Sequence, residues 1–328
     1  MLAGGFLLVA LIAYFGFEAV AEDMRQIGWG LVAIALFHLV PMLLSALGWQ
    51  AVHRGPGNGS ILVYLQARWV REAVNGLLPV GQVGGQFVGA RILTNHGAKA
   101  PVAVAGSIVD LSMEVITQFF FGLLGLVLLV AAHGLDRTVF WLIVGLCLAA
   151  LLLSGFLLAQ RWGLFELVER GLTVMSAVTG LAAVAGMAGL HDALAALNRK
   201  RGNLAFSMFW HSLSWLIGAG EIWLTLYLLG HHVTIAEALI LESLGQAVRS
   251  AAFIMPGALG VQEGGYIVLG GLLGFSPDIS LSLSLAKRVR ELLLGLPALL
   301  TWQIGEGRFL LRKPETPPLA GTSHPKAD

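Results

Sequence analysis

Charge is what this sequence has least of. Asp, Glu, Lys and Arg make up 12% of its 328 residues, where an ordinary soluble domain carries roughly 25%. The few charges nearly cancel, to a formal +1. The basic residues are scattered rather than striped, which excludes a nucleic-acid-binding surface. Cysteine is almost absent too. Cys147 stands alone in an apolar run, so an intrachain disulfide and a CxxC-type metal site are both excluded. Signature motifs of catalysis are missing: there is no GxxxxGK(S/T) phosphate loop, no HExxH and no GxSxG elbow. The glycines at Gly81, Gly84 and Gly85 lack the strand context and spacing of a nucleotide fingerprint. No cofactor and no metal are expected.

Apolar residues fill the space, at 57% of the chain, with a mean hydropathy of +0.80. The composition is that of an all-α polytopic membrane protein. The first apolar stretch, Leu2 to Val20, ends in Ala19-Val20-Ala21 like a signal-peptidase site. No Lys or Arg precedes it and it exceeds a usual signal core, so it reads as a first spanning helix. A polar loop is expected at Glu22 to Gln26. Spanning helices follow over residues 28–52, 101–132, 138–159, 203–229 and 277–304, about six in all. Two apolar elements are broken instead. Residues 60–93 are interrupted at Asn75-Gly76-Leu77-Leu78-Pro79 and again by Gly81, Gly84 and Gly85. Residues 235–273 are interrupted at Met255-Pro256-Gly257. Each half is short of the roughly 20 residues that span a bilayer, so each element reads as a re-entrant helical hairpin. Such backbone is tolerated at membrane depth only against protein or a water-filled cavity.

The Lys and Arg residues fix an orientation. Arg54, Arg91, Lys99, Arg161, Arg170, Arg199, Lys200, Arg201 and the tail group on one side, leaving Arg25 and Arg137 in loops on the other. Both termini are then cytoplasmic, and the two hairpins dip in from opposite faces. Residues 28–132 and 203–304 become two units of an inverted-topology repeat within one membrane domain, residues 1–307. Inverted repeats with discontinuous helices are a recurring plan of secondary transporters; two unrelated hairpins are the alternative. Aligning Pro79 with Pro256 sets Gln86 opposite Glu263 and Glu72 opposite Arg249. Residues 164–200, with the charge-free run 174–190, read as an interfacial cytoplasmic helix. If that run spanned, the repeat would collapse. Residues 308–328 read as a disordered cytoplasmic tail.

Ionisable groups inside membrane helices cost at least ~2.5 kcal/mol on insertion scales, so they face the interior and have partners. Asp110 and Glu114, one turn apart, repel unless a cation, a proton or a basic side chain intervenes. Arg68, Arg71, Glu72 and Asn75 lie on the first hairpin, and Glu242, Arg249, Pro256, Gly257 and Glu263 on the second. Lys287, Arg288, Arg290 and Glu291 lie mid-span in the last helix. Structural ion pairs and a polar cavity for an amphiphilic ligand are both open readings. In the second, backbone N–H groups near Gly81 and Gly257 are free for an anionic or hydroxylated headgroup. His38, His211 and Glu221 read as isolated packing or interface residues.

The Asn75-to-Gly81 pattern with Gly84-Gly85, together with Pro256-Gly257, Gly260 and Gln262-Glu263, resembles the membrane domain of the lysylphosphatidylglycerol synthase/flippase family, to about residue 312. The segments Glu242 to Phe253, Val261 to Gly265 and Leu285 to Glu291 resemble its hopanoid-associated HpnL-type branch. The resemblance implies a bacterial inner-membrane protein that moves a lipid, a hopanoid or a phospholipid-like amphiphile, between leaflets or toward the outer membrane. It does not imply aminoacyl transfer, which belongs to a soluble domain that these residues do not contain. The expected translocation site is Arg68, Arg71, Glu72, Asn75, Pro79, Gly81, Asp110, Glu114, Glu242, Arg249, Pro256, Gly257, Glu263, Lys287, Arg288 and Glu291. Two other readings stand beside transport. One is an intramembrane lipid-modifying enzyme using Asp110/Glu114 or Glu242/Glu263. The other is a non-catalytic scaffold that docks lipid-biosynthesis proteins through residues 161–201.

Overall fold

The computed structural model describes residues 17–53, 59–78, 84–135, 137–161, 189–252 and 255–311. Every regular element among them is helical: α1 (Phe17–Ile27), α2 (Gly30–Val52), α3 (Ile61–Leu77), α4 (Gly84–Asn95), α5 (Ala100–His133), α6 (Arg137–Arg161), α7 (Leu190–Arg199), α8 (Arg201–Leu228), α9 (Ile235–Ala251), a 3₁₀ turn (Pro256–Ala258), α10 (Val261–Leu272) and α11 (Pro277–Leu311). Two described helices are both long and apolar enough to cross a bilayer. They are α2, at a mean hydropathy of 2.2, and α5, at 2.4. Leu36, Leu39 and Val40 of α2, Phe120 and Val127 of α5, and Leu296 and Leu300 of α11 are exposed. Asp110, Glu263, Lys287 and Arg71 are buried. Apolar outside and charged inside inverts the soluble pattern and suits a lipid solvent.

The breaks fall where the turn chemistry dictates. Ser60 caps α3 by accepting the Leu62 N–H, and α3 stops after Leu77, with Leu78 extended. Thr234 and Glu237 form a reciprocal capping box at the start of α9, which satisfies two otherwise orphaned N–H groups. Pro256 and Gly257 follow its end. Gly257 has φ +61°, which a side chain tolerates poorly, and a Cβ there would come within 2.8 Å of the Gly76 carbonyl oxygen. The tip of the second broken element therefore sits on the end of α3. The halves match in length: α3 and α9 have 17 residues each, and α4 and α10 have 12 each. The helices that follow them, α5 and α11, have 34 and 35.

Helices α2 and α8 make the broadest contact in the molecule. Gly30 meets Leu228, Gly220 meets Phe37, and Gly48 meets His211, so the pair runs antiparallel along its whole length. Ser214 donates to the Pro41 carbonyl at 2.8 Å and lies 2.9 Å from the Ser45 hydroxyl. Small residues let the backbones approach closely without a hydrophobic drive, the usual basis of helix packing in lipid. Three apolar clusters surround this axis. One packs α3 and α4 with Trp49, Ala103 and Ala298. Another packs α9 and α10 with Leu129, Leu226 and Ile279. The third lays Leu190, Leu194 and Leu197 of α7 on Val52, Ala105 and Val109.

Two boundaries differ from expectation. Glu22 to Gln26 are helical, not a loop, because α1 continues to Ile27. There Ile27 joins the apolar cluster of α8 and α9, and Gly28 at φ +48° ends the helix. Residues 308–311 are helical and not part of a tail, since α11 runs on to Leu311. The expected 164–200 helix is described only at its end, as α7. Most of the first expected span, Pro79, Gly81, the run 174–188 and residues 312–328 lie outside the described residues.

Candidate functional site

The charged residues of the two broken elements form two ion-pair clusters. In the first, Arg71 of α3 bridges both carboxylates of α5. Its Nη1 donates to Asp110 at 2.6 Å, and its Nη2 pairs with Glu114. Arg68, one turn earlier, donates to Glu114 and to Glu72, at 2.7 Å each. A basic side chain is thus what holds the two carboxylates of α5 together. The far oxygen of Asp110 takes the His211 Nε2 of α8, at 2.9 Å. The Arg71 guanidinium also lies over the Trp49 ring, 5.4 Å from its centroid, where the ring's negative face attracts a cation.

In the second cluster, α11 supplies most of the cations. Lys287 donates to Glu242 of α9 at 2.6 Å, whose other oxygen accepts from Gln246 at 2.9 Å. Arg249 pairs with Glu291 and donates to Gln262 at 2.8 Å. Arg288 donates to Glu263 at 2.9 Å and to Glu291 at 3.2 Å. The sign order is mixed: Arg68 and Arg71 of α3 face carboxylates of α5, and Arg249 of α9 likewise faces Glu291 of α11, whereas Glu242 of α9 faces Lys287.

Removing an ion from water costs several kcal/mol even after relaxation, and its partner in good geometry roughly repays it. These clusters therefore contribute little net stability, but they fix which helix faces which. They also consume donors that the sequence offered to a ligand. Asn75 Oδ1 accepts the Gly85 N–H at 2.8 Å, and the Glu263 carboxylate accepts the Gly260 N–H at 2.6 Å. Each second half-helix is thus capped at its start by its own hairpin. The Gly260 N–H, three residues past Gly257, is therefore not free for a headgroup. Arg249, expected to grip a headgroup, is instead held by Glu291 and Gln262.

One residue joins the clusters, and the sequence reading passed over it. His38, midway along α2, sits with Nδ1 2.8 Å from Glu221 of α8 and Nε2 3.3 Å from Glu72 of α3. Arg290 of α11 brings Nη1 to 2.7 Å from the ring nitrogens and Nε to 3.2 Å from Glu221. His38, His211 and Glu221 are therefore members of the polar interior, not isolated packing residues. The signal was available: an ionisable group in the middle of an apolar helix implies a partner, and neither α2 nor α8 carries that partner itself.

Beside His38 lies a small, partly open cleft with a cavity volume of about 30 Å³, between α2, α3 and α11. Glu72, Arg290, Glu291 and His38 form its polar wall, and Met42, Trp69, Leu77 and Leu294 its apolar wall. Gly76 also lines it, where a Cβ would meet nothing nearer than Glu291 at 3.9 Å. Trp69 is held in place by donating to the Leu294 carbonyl at 2.8 Å. Of the expected site residues, Glu72 and Glu291 line this cleft. Arg68, Arg71, Asp110, Glu114, Glu242, Arg249, Glu263, Lys287 and Arg288 lie in the ion-pair clusters behind it.

The chain matches the family described as Lysylphosphatidylglycerol synthase TM region over residues 1–298. No curated protein matches the chain, and no solved structure does.

Proposed function

Because the chain belongs to the lysylphosphatidylglycerol synthase transmembrane-region family, we propose that this membrane protein carries an amphiphilic lipid between leaflets. The cleft beside His38 carries the reading: one wall is charged, the other apolar, inside a shell whose outer helices expose leucine and phenylalanine. An amphiphile has the same two halves. The charged wall fits a headgroup better than a bare triterpene, so a hopanoid bearing a polar group or a phospholipid is the substrate class. The protein sits in the bacterial inner membrane with both termini cytoplasmic.

The inverted repeat of units 28–132 and 203–304, with about six spans, belongs to the same proposal. The matched helix lengths support it, and so does the antiparallel pairing of α2 with α8. Further support comes from the packing pairs: α5 lies on α9 as α3 lies on α11, and α8 on α5 as α11 on α2. Two halves so related can rock against each other around a fixed central site. The ion-pair clusters would then hold each hairpin to its own long helix during the motion.

The enzymatic alternative needs a free acid–base pair. Asp110, Glu114, Glu242 and Glu263 all lie in ion pairs, which favours carriage over acid–base chemistry. Lipidomics on separated inner and outer membranes tests the choice, comparing wild type, deletion and Arg249→Ala. Transport predicts unchanged totals with one lipid shifted between membranes, in the deletion and in Arg249→Ala alike. Loss of a modified lipid from both membranes would support the enzyme instead. No change would leave a scaffold for lipid-biosynthesis proteins.

A further inference from the structure

Among the described residues, the polar interior has one carboxylate too many. Six cations (Arg68, Arg71, Arg249, Lys287, Arg288 and Arg290) face seven carboxylates (Glu72, Asp110, Glu114, Glu221, Glu242, Glu263 and Glu291). With both histidines neutral the assembly carries an excess negative charge, which a low-dielectric interior penalises. One proton on an imidazole removes it, and the two imidazoles are not equivalent hosts. His211 Nε2 meets Asp110, but its Nδ1 has no hydrogen-bond partner among the described residues. A second N–H there would be buried and unsatisfied, at a cost of about 1–3 kcal/mol. His38 has a carboxylate at each nitrogen, Glu221 at Nδ1 and Glu72 at Nε2, which is the environment of an imidazolium.

Arg290 complicates this in a useful way. The Arg290 Nη1, 2.7 Å from both ring nitrogens, lies over the face of the imidazole, a position that a neutral ring accepts and a protonated one repels. The three partners cannot be served together. Neutral His38 donates from Nδ1 to Glu221 and carries Arg290 over its face, leaving Glu72 without an N–H. Protonated His38 donates to Glu221 and Glu72 and repels Arg290. The groups facing His38 come from each helix packed on α2 that brings a charge to it: Glu72 from α3, Glu221 from α8 and Arg290 from α11. From α5, Asp110 and Glu114 are already held by Arg71 and Arg68. The Arg290 guanidinium lines the cleft, with Glu221 at 3.2 Å and Glu291 at 3.8 Å.

We propose that His38 is the proton-binding residue of the cleft, exchanging Arg290 for Glu72 and so freeing Arg290 for the anionic group of a lipid headgroup. The inference rests on the lipid-carrying reading of the cleft and adds its energy source: proton and anionic lipid bind together, and each raises the affinity for the other. His38 is the titrating side chain suited to physiological pH, and Glu72, partly exposed at the cleft, connects it to the space the headgroup occupies. The proton passes between water and the imidazole, with no other bond made or broken.

The test uses the purified full chain in detergent and dihexanoyl phosphatidylglycerol, whose phosphodiester keeps one negative charge between pH 5.5 and pH 8. Affinity is expected to be at least about tenfold tighter at the lower pH. Dihexanoylglycerol, which lacks the phosphate, is expected to show no such dependence. His38→Gln removes the dependence and His211→Gln keeps it. A pH-independent wild type overturns the proposal, and so does a loss of dependence in His211→Gln but not in His38→Gln. If His38→Gln does not fold, proton uptake by the wild type on binding the lipid in weakly buffered solution at pH 7 decides. Uptake supports the proposal, and none overturns it. Neither readout involves transport, so a chain that binds in this way but moves no lipid refutes the carrier reading alone.

Discussion

At the scale of single residues, the ion pairs divide into those that are buried and those that are wet. Arg71 is buried and holds Asp110, itself fully buried, together with Glu114. Arg71→Ala leaves a buried carboxylate without a counter-ion, so it is expected to cost about 3–5 kcal/mol. Thermal unfolding in detergent reads that loss, and Arg71→Ala with Asp110→Asn should recover part of it. A single variant as stable as wild type would show that the carboxylates do not depend on Arg71. Glu306, at the end of α11, is different. Arg91 grips it at 2.7 Å and 2.8 Å, and that hydrogen bonding holds the Glu306 carboxyl below the usual glutamate range. A depressed carboxyl stabilises the fold above its unfolded pKa and ceases to do so as pH falls through its folded one. Arg91 is half exposed, so the pair is worth at most about 1 kcal/mol. Glu306→Gln should melt slightly lower than wild type at pH 7, and the two curves should converge in acid, below the ordinary glutamate pKa.

At the scale of elements, glycine placement decides how closely the broken helices meet. Gly257→Ala combines a strained positive φ with a clash against the Gly76 backbone, which neither side can relieve by rotating a side chain. Gly264→Ala, in the first turns of α10, meets nothing within 4 Å and replaces glycine with a better helix former. The first substitution should lower the melting temperature by several degrees, and the second should leave it unchanged or raise it. Equal behaviour of the two would mean that the hairpin tip is not packed on α3. These elements were legible in the sequence because Pro, Gly and helix caps act locally: Thr234 with Glu237, Pro256 with Gly257, and the polar break after Asn75. The partners were not. Nothing in residues 235–251 tells Arg249 to choose Glu291, or Glu242 to choose Lys287, since those choices come from the fold. His38 and Glu221 were passed over because neither has a charged neighbour one turn away on its own apolar helix, and their significance is apparent only once α2 and α8 pack together.

At the scale of the whole molecule, the proposed arrangement has two ends. Val52, Ala105 and α7 cluster at one end, near Arg199, Lys200 and Arg201. Ile27, Leu229 and Ile279 cluster at the other, where Arg25 and Arg137 are the basic residues. An excess of basic residues marks the cytoplasmic side. Cysteine substitution makes this measurable after Cys147, which is exposed, is replaced by alanine. Gly97→Cys should react with a membrane-impermeant thiol reagent in inverted vesicles only, and Gly134→Cys in intact spheroplasts only. Labelling of both from one side would place the two turns on the same face and dissolve the repeat.

The central claim is that this chain moves an amphiphilic lipid across the bilayer, and reconstitution tests it most directly. Purified protein in phosphatidylethanolamine/phosphatidylglycerol vesicles, with a trace of fluorophore-labelled phosphatidylglycerol, is challenged with an impermeant quencher. Passive vesicles protect the inner-leaflet half of the label. The account predicts that wild type carries the protected half outward, so quenching approaches completion, and that His38→Gln and Arg290→Ala slow this by about tenfold or more. Quenching that stops at half with wild-type protein, in acid and at neutral pH alike, would contradict it.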